Sequence, residues 1–241
     1  MQEKLPILIT GGTQRLGLAI TLSLVKAGYE LIVTYRTPKE SIDVLQKMGV
    51  KCIRTDFEKS SSVAELVDIV AQEYGMLRAV IHNASDWLAE DDVPCSELMD
   101  RMFKVHVNAP YQINIGLSDL LMKGSSNDEN QGADIIHFTD YVVEKGSDKH
   151  IAYSASKAAL ANLTLSFAKK LSPQVKVNSI APSLLKFNDE DDEEYRAKAL
   201  AKSLLQIEPG EQEAVAAVEY ILSSRYMTGR TIALDGGRHL A

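Results

Sequence analysis

The chain has 241 residues, 26 basic against 33 acidic, a formal net charge of −7, with 45% hydrophobic and 24% charged residues. That length suits one sizeable α/β core better than two average domains, and the composition excludes general disorder. An acidic surface without basic stripes argues against nucleic acid as a partner, and no stretch approaches the ~20 apolar residues of a membrane span. Two cysteines, Cys52 and Cys95, read as ordinary thiols of a reducing compartment. The N-terminal MQEKLPILITGG has no basic segment leading into a long apolar run, so a soluble, cytoplasmic protein is expected.

Leu5–Thr10 is a compact apolar strand, followed by a glycine turn over Gly11–Gly17 and a helix with Leu16, Ala19, Ile20 and Leu24 on one side, ended by Gly28. Leu31–Tyr35 reads as a strand, 38–48 as a helix, Val50–Thr55 as a strand, Ser60–Glu73 as a helix and Leu77–His82 as a strand. A long helix is expected over 97–122, then a strand at Ala133–Thr139, a helix over 152–171 and a strand at Val175–Ile180. A polar insertion with one or two helices precedes a helix at Glu211–Ser223, and Thr231–Leu234 closes the sheet. Strands alternating with helices of this length predict a doubly wound parallel sheet, a Rossmann fold, as one domain over 1–241.

The turn Thr10–Gly17 follows the first strand of a βαβ unit, where it can seat a dinucleotide's pyrophosphate at a helix start or serve as a plain turn: Gly11 permits the tight turn, Gly17 the close approach of helix to strand, with Thr13, Arg15 and Leu16 between them. After the second strand come Tyr35, Arg36 and Thr37 instead of the carboxylate usual for NAD. Arg36 can hold a 2′-phosphate, which favours NADP(H), or it can be a solvent-facing loop arginine. Asp56, ahead of Phe57, can accept from the adenine amino group, or it can cap a turn or the next helix.

Tyr153 and Lys157 in YSASK stand one helical turn apart, where a lysine ammonium would favour the phenolate and make the tyrosine a better proton-transfer group. A surface Tyr–Lys pair has the same spacing, so the motif gains weight from its company: TGGTQRLG at 10–17, HNAS at 82–85, Asn108 and NSIAPS at 178–183. Together these resemble the short-chain dehydrogenase/reductase family over essentially the whole chain. Three departures, Arg15 in the turn, His82 before Asn83, and Asp140 where the family usually has a catalytic serine, resemble its pteridine reductase branch.

The resemblance implies Tyr153, Lys157, Asp140 and Asn108 as catalytic residues, Asn108 holding the lysine through a water relay. Asn83, Ala84, Ser85, Pro182 and Ser183 join the cofactor residues, although Asn83 reads equally well as purely structural. Arg15, Ser85, Trp87, Asp140 and Tyr153 would meet the substrate. Trp87, the sole tryptophan, suits a flat pterin by stacking, or packs under its own loop. The expected reaction is NADPH-dependent reduction of a dihydropterin, dihydromonapterin ahead of dihydrofolate, by a homotetramer using helices 97–122 and 152–171 as interface. No metal is implied. The rivals are another pterin, a 3-oxoacyl thioester, and an inactive NADPH-binding regulatory protein. The carboxylate run at 188–194 reads as the start of a helix near Asp191 rather than a ligand contact.

Overall fold

The computed structural model describes residues 4–127 and 132–241. Seven strands form one parallel sheet: β1 (Lys4–Thr10), β2 (Tyr29–Tyr35), β3 (Lys51–Arg54), β4 (Ala79–His82), β5 (Ala133–Phe138), β6 (Val175–Pro182) and β7 (Thr231–Leu234). Their spatial order is β3-β2-β1-β4-β5-β6-β7, so the chain winds outward from β1 to β3 and then returns to lay β4 on the other side of β1. The expected doubly wound sheet is therefore observed, and the β1/β4 reversal opens a crevice at the strands' carboxyl ends, where ligands of such sheets bind.

The helices are α1 (Arg15–Lys26), α2 (Ser41–Lys47), α3 (Ser60–Glu73), α4 (Cys95–Phe103), α5 (Ala109–Asn127), α6 (Val142–Lys145), α7 (Ile151–Leu171), α8 (Glu193–Leu200) and α9 (Gln212–Ser223). Alternate residues of each strand face opposite sides of the sheet. Ile7, Ile9, Leu31 and Val33 pack with Leu24 of α1 and Val218 and Ile221 of α9 on one face. Leu8, Ile32 and Val80 pack with Leu66 of α3, Ile113 and Leu117 of α5 and Phe167 of α7 on the other. Each such fully buried side chain stabilises the fold by about 1.5–3 kcal/mol relative to exposure.

The expected single helix over 97–122 is interrupted. A π-helical turn, Lys104–Asn108, joins α4 to α5. Pro110 has no N–H to offer the His106 carbonyl, so the regular ladder cannot continue there, and the turn widens. The carboxylate run does start a helix, with Asp192 as cap accepting from the Tyr195 backbone N–H at 2.7 Å. Among the described residues no helix is long and apolar enough to cross a membrane.

Candidate active site

A cleft of about 1280 Å³ lies over the carboxyl ends of the strands. Gly11, Thr13, Arg15, Leu16 and Gly17 line it from the β1–α1 turn, Tyr35, Arg36 and Thr37 from the end of β2, and Phe57 from the end of β3. Asn83, Ala84, Ser85 and Trp87 line it after β4, Asp140 after β5, Tyr153 and Lys157 from α7, and Pro182 and Ser183 at the end of β6.

The turn is built for close approach. Gly11 has φ +66°, and a Cβ on Gly17 would sit 2.1 Å from Gly11 O and 2.5 Å from Asn83 Nδ2. No side chain fits between Gly11 and Asn83, so the start of α1 packs directly on the turn, the close approach that a pyrophosphate site at a helix start needs. Arg15 also has positive φ, +47°, the left-handed region that favours glycine. Its guanidinium bonds Asn188 Oδ1 and the Lys186 carbonyl, bridging the turn to the segment after β6. Asn83 donates to the Thr10 and Gly11 carbonyls at 3.2 and 3.0 Å, so its amide fixes the turn.

Arg36 points into the cleft half-exposed, 3.2 Å from Glu58 and 3.5 Å from Asp86. Asp86 is held more tightly by Arg101, whose Nε donates to it at 2.7 Å. Arg36 is therefore the free arm of this group, able to turn to a phosphate. Asp56 does not line the cleft. It accepts from Glu58 N at 3.2 Å and pairs with Lys59 at 3.1 Å, and so serves the turn after β3.

At the cleft floor the Tyr153 phenol donates to Asp140 Oδ2 at 2.7 Å. Burial, then the Asp140 charge, pushes the phenol well above its usual range. Burial likewise raises Asp140, opposed by its bonds from Val142 and Tyr153. Lys157 is buried, its ammonium donating to the Phe138 carbonyl at 2.8 Å and lying 5.6 Å from the Tyr153 ring centroid. Burial brings its pKa down to about 8, against the pull of Asp140. The group bonded to the phenol oxygen is the Asp140 carboxyl, while the Lys157 ammonium is taken by the Phe138 carbonyl.

Trp87 is 59% exposed, lines the cleft and stacks on His150 at 4.4 Å and 27°. It is not packed beneath its loop. Asn108 is not brought to the site: it lies on the exposed face of the π turn, outside the cleft lining. His106, two residues earlier, points inward instead, with its ring edge on Tyr153 at 5.5 Å and 87°. The missed residue carried a signal. Met102, Val105, His106, Ala109 and Ile113 form a buried stripe at helical spacing, whereas Asn108 shares its side with exposed Tyr111 and Ile115.

His82 is a satisfied core histidine. Its Nε2 donates to Asn114 Oδ1 at 2.7 Å, Asn114 Nδ2 to His137 Nε2 at 3.1 Å, and His137 Nδ1 to Thr164 Oγ1 at 2.8 Å.

A family model described as short chain dehydrogenase matches residues 6–196. The chain belongs to the short-chain dehydrogenase family. It is 51% identical to the dihydromonapterin reductase of Klebsiella pneumoniae over 240 residues, covering 99% of this chain and 98% of that protein. It is 52% identical over 239 residues, with the same coverage, to the dihydromonapterin reductase of Escherichia coli. Among solved structures, FolM alternative dihydrofolate reductase 1 from Brucella canis, complexed with NADP, superposes with a TM-score of 0.87 at 28% identity, covering 100% of this chain and 96% of that one. At this site an aspartate is set against the tyrosine and a histidine stands behind it.

Proposed function

We propose that this protein is an NADPH-dependent dihydropterin reductase that converts 7,8-dihydromonapterin to 5,6,7,8-tetrahydromonapterin, and dihydrofolate more slowly. The carrying observation is the Tyr153–Asp140 hydrogen bond in a cleft that the exposed Trp87 indole also lines, in a chain about half identical to dihydromonapterin reductases along its whole length.

The cradle fits the cofactor: the glycine turn leaves room for the pyrophosphate, and Arg36 is the cation for the 2′-phosphate. Bound NADPH supplies a hydride to C6 of the dihydropterin, and a proton must reach N5. Trp87 holds the flat ring system by stacking, while Arg15 and Ser85 meet its polar edge. Tyr153 offers its phenol proton toward N5 directly or through one water, and Asp140, which orients the phenol, takes up a proton from solvent and returns it to the phenolate left behind. Lys157 fixes the end of β5 through Phe138 and would hold the nicotinamide ribose of a bound cofactor. Asp140 occupies the place of a neutral hydroxyl donor, which argues against a 3-oxoacyl thioester. The intact proton-holding pair argues against an inactive binding protein.

A homotetramer is part of this reading, supported by exposed Tyr111 and Ile115 on α5 and Leu165 on α7, and so is a cytoplasmic location. The test follows loss of NADPH absorbance with dihydromonapterin, dihydrobiopterin, dihydrofolate and an acetoacetyl thioester in parallel. Fastest turnover of dihydromonapterin is expected. Thioester reduction without pterin reduction would overturn the substrate and leave the fold and cofactor standing.

A further inference from the structure

His106 is buried to 1% exposure on the π turn, and the reaction described above does not use it. Its two ring nitrogens have partners on opposite sides of the cleft floor. Nε2 lies 3.1 Å from the Asp86 backbone nitrogen and 2.9 Å from Ser85 Oγ. A backbone N–H can only donate, so Nε2 is the unprotonated nitrogen. The proton of the neutral ring is then on Nδ1, 2.8 Å from Ser156 Oγ, and that hydroxyl donates to the Tyr153 carbonyl at 2.7 Å. Ser156 thereby ties the imidazole to the backbone of Tyr153, whose phenol ring stands at right angles to it at 5.5 Å. One imidazole joins the Ser85–Asp86 turn to helix α7 at Tyr153.

An apolar residue of similar volume would fill this space. It would leave the Asp86 N–H without the acceptor it has here and the Ser85 hydroxyl without its anchor. Trp87 follows Asp86 directly, so the same imidazole sets where the indole begins. Burial, then the charge of Lys157, keeps His106 neutral, and an imidazolium would turn an N–H toward the Asp86 N–H.

We infer that His106 is a positioning residue of the reductase, locking the Ser85–Asp86 turn and the Trp87 that follows it in register with helix α7 and the Tyr153 phenol. This rests on the dihydropterin reading for its kinetic consequence, but not for its structural one.

Three variants separate its contacts. His106→Leu fills the volume with neither donor nor acceptor. His106→Gln keeps an acceptor at the reach of Nε2, and His106→Asn keeps a donor at the reach of Nδ1. Trp87 is the only tryptophan, so its emission and acrylamide quenching report the turn directly. His106→Leu is expected to lower kcat on dihydromonapterin by about 100-fold, the scale of a misplacement near 1 Å, with NADPH Kd unchanged and Trp87 quenched more readily. His106→Gln should restore the Trp87 signal and part of kcat, and His106→Asn should leave Trp87 as exposed as in the leucine variant. Wild-type kcat and quenching in His106→Leu, or a glutamine variant no better than the asparagine one, overturns the inference. If His106→Leu does not fold, the Gln–Asn comparison decides alone. If the wild-type protein reduces no dihydropterin, the substrate reading fails, and Trp87 quenching in the NADPH-bound variants still decides the role of His106.

Discussion

Two buried polar clusters share helix α7 and end differently. One runs His82–Asn114–His137–Thr164 and finishes on the Leu160 carbonyl at 3.3 Å, so every hop from donor to acceptor closes inside the protein. The other links Asp140, Tyr153, Ser85, His106 and Ser156, and three of its members line the cleft. Both are made from histidines, hydroxyls and one amide or carboxylate. A network that closes on itself has spent its hydrogen-bonding capacity on holding strands and helices together. One that ends at a cleft keeps hydroxyls and a proton available for chemistry.

The largest expected separation comes from removing one hydroxyl. Tyr153→Phe should lower kcat by about 10³-fold, within the range of a lost general acid, with urea stability nearly unchanged. Equal loss of stability and activity would mean that the cleft cluster is as structural as the closed one. The mirror experiment is Asn114→Leu, which strands the His82 N–H and the His137 lone pair. It should lower folding stability by about 2–4 kcal/mol in urea titrations, while the folded enzyme keeps its kcat. A selective fall in kcat would break the comparison.

Acid sharpens it next. Burial holds His82 at about 4, below its ordinary 6.5, and holds His137 well below as well. The unfolded chain then binds more protons than the folded one as pH falls below 6.5. The stability from keeping these rings neutral is fully present above pH 6.5 and is lost as pH falls toward 4. For His82 the full loss is about 3 kcal/mol. Denaturant titrations between about pH 6.5 and 5, above most carboxylates, should show stability falling in the wild-type protein. They should show a shallower slope in His82→Phe, and equal slopes would contradict the neutral-chain account.

The closed cluster and the open one were not equally legible in the sequence. Apolar runs and helical spacing placed all seven strands, because strands buried on both faces stand out as continuous apolar stretches, and Ser60–Glu73 and Thr231–Leu234 agree to the residue. Tyr153, Lys157 and Asp140 were readable from spacing and resemblance, and the structure brings them to one cleft floor. Asn108 was expected by residue type at its place along the chain, but the apolar stripe of Met102, Val105, Ala109 and Ile113 carries His106 inward and leaves Asn108 on the side of exposed Tyr111 and Ile115. The direction of the Tyr153 shift was also hidden. It depends on which charge touches the phenol oxygen, and spacing places Lys157 near the ring without showing that its ammonium is taken by the Phe138 carbonyl.

A smaller effect tests the cofactor arm of the cleft. Arg36→Ala should raise KM for NADPH by about 10- to 100-fold while barely changing KM for NADH, since only the former brings a 2′-phosphate to a charge-assisted bond. Equal effects on both would assign Arg36 to its ion pairs with Glu58 and Asp86 instead.

Arg15 gives the subtlest test, because two opposing terms nearly cancel. Its φ of +47° carries strain of about 1–2 kcal/mol that glycine would relieve. Glycine also loses more entropy on folding, by about 0.4–1 kcal/mol, and Arg15→Gly removes the guanidinium's bonds to Asn188 and the Lys186 carbonyl. Those bonds are exposed and contribute little, so Tm should move by only a few degrees in either direction. An arginine kept in a strained position for no net stability is explained by what it touches in the cleft. KM for dihydromonapterin should therefore rise several-fold in Arg15→Gly with kcat little changed. A fall in Tm with unchanged KM would make the bridge to Asn188 the reason the arginine is there, and the cleft on that side would then owe its shape, not its affinity, to Arg15.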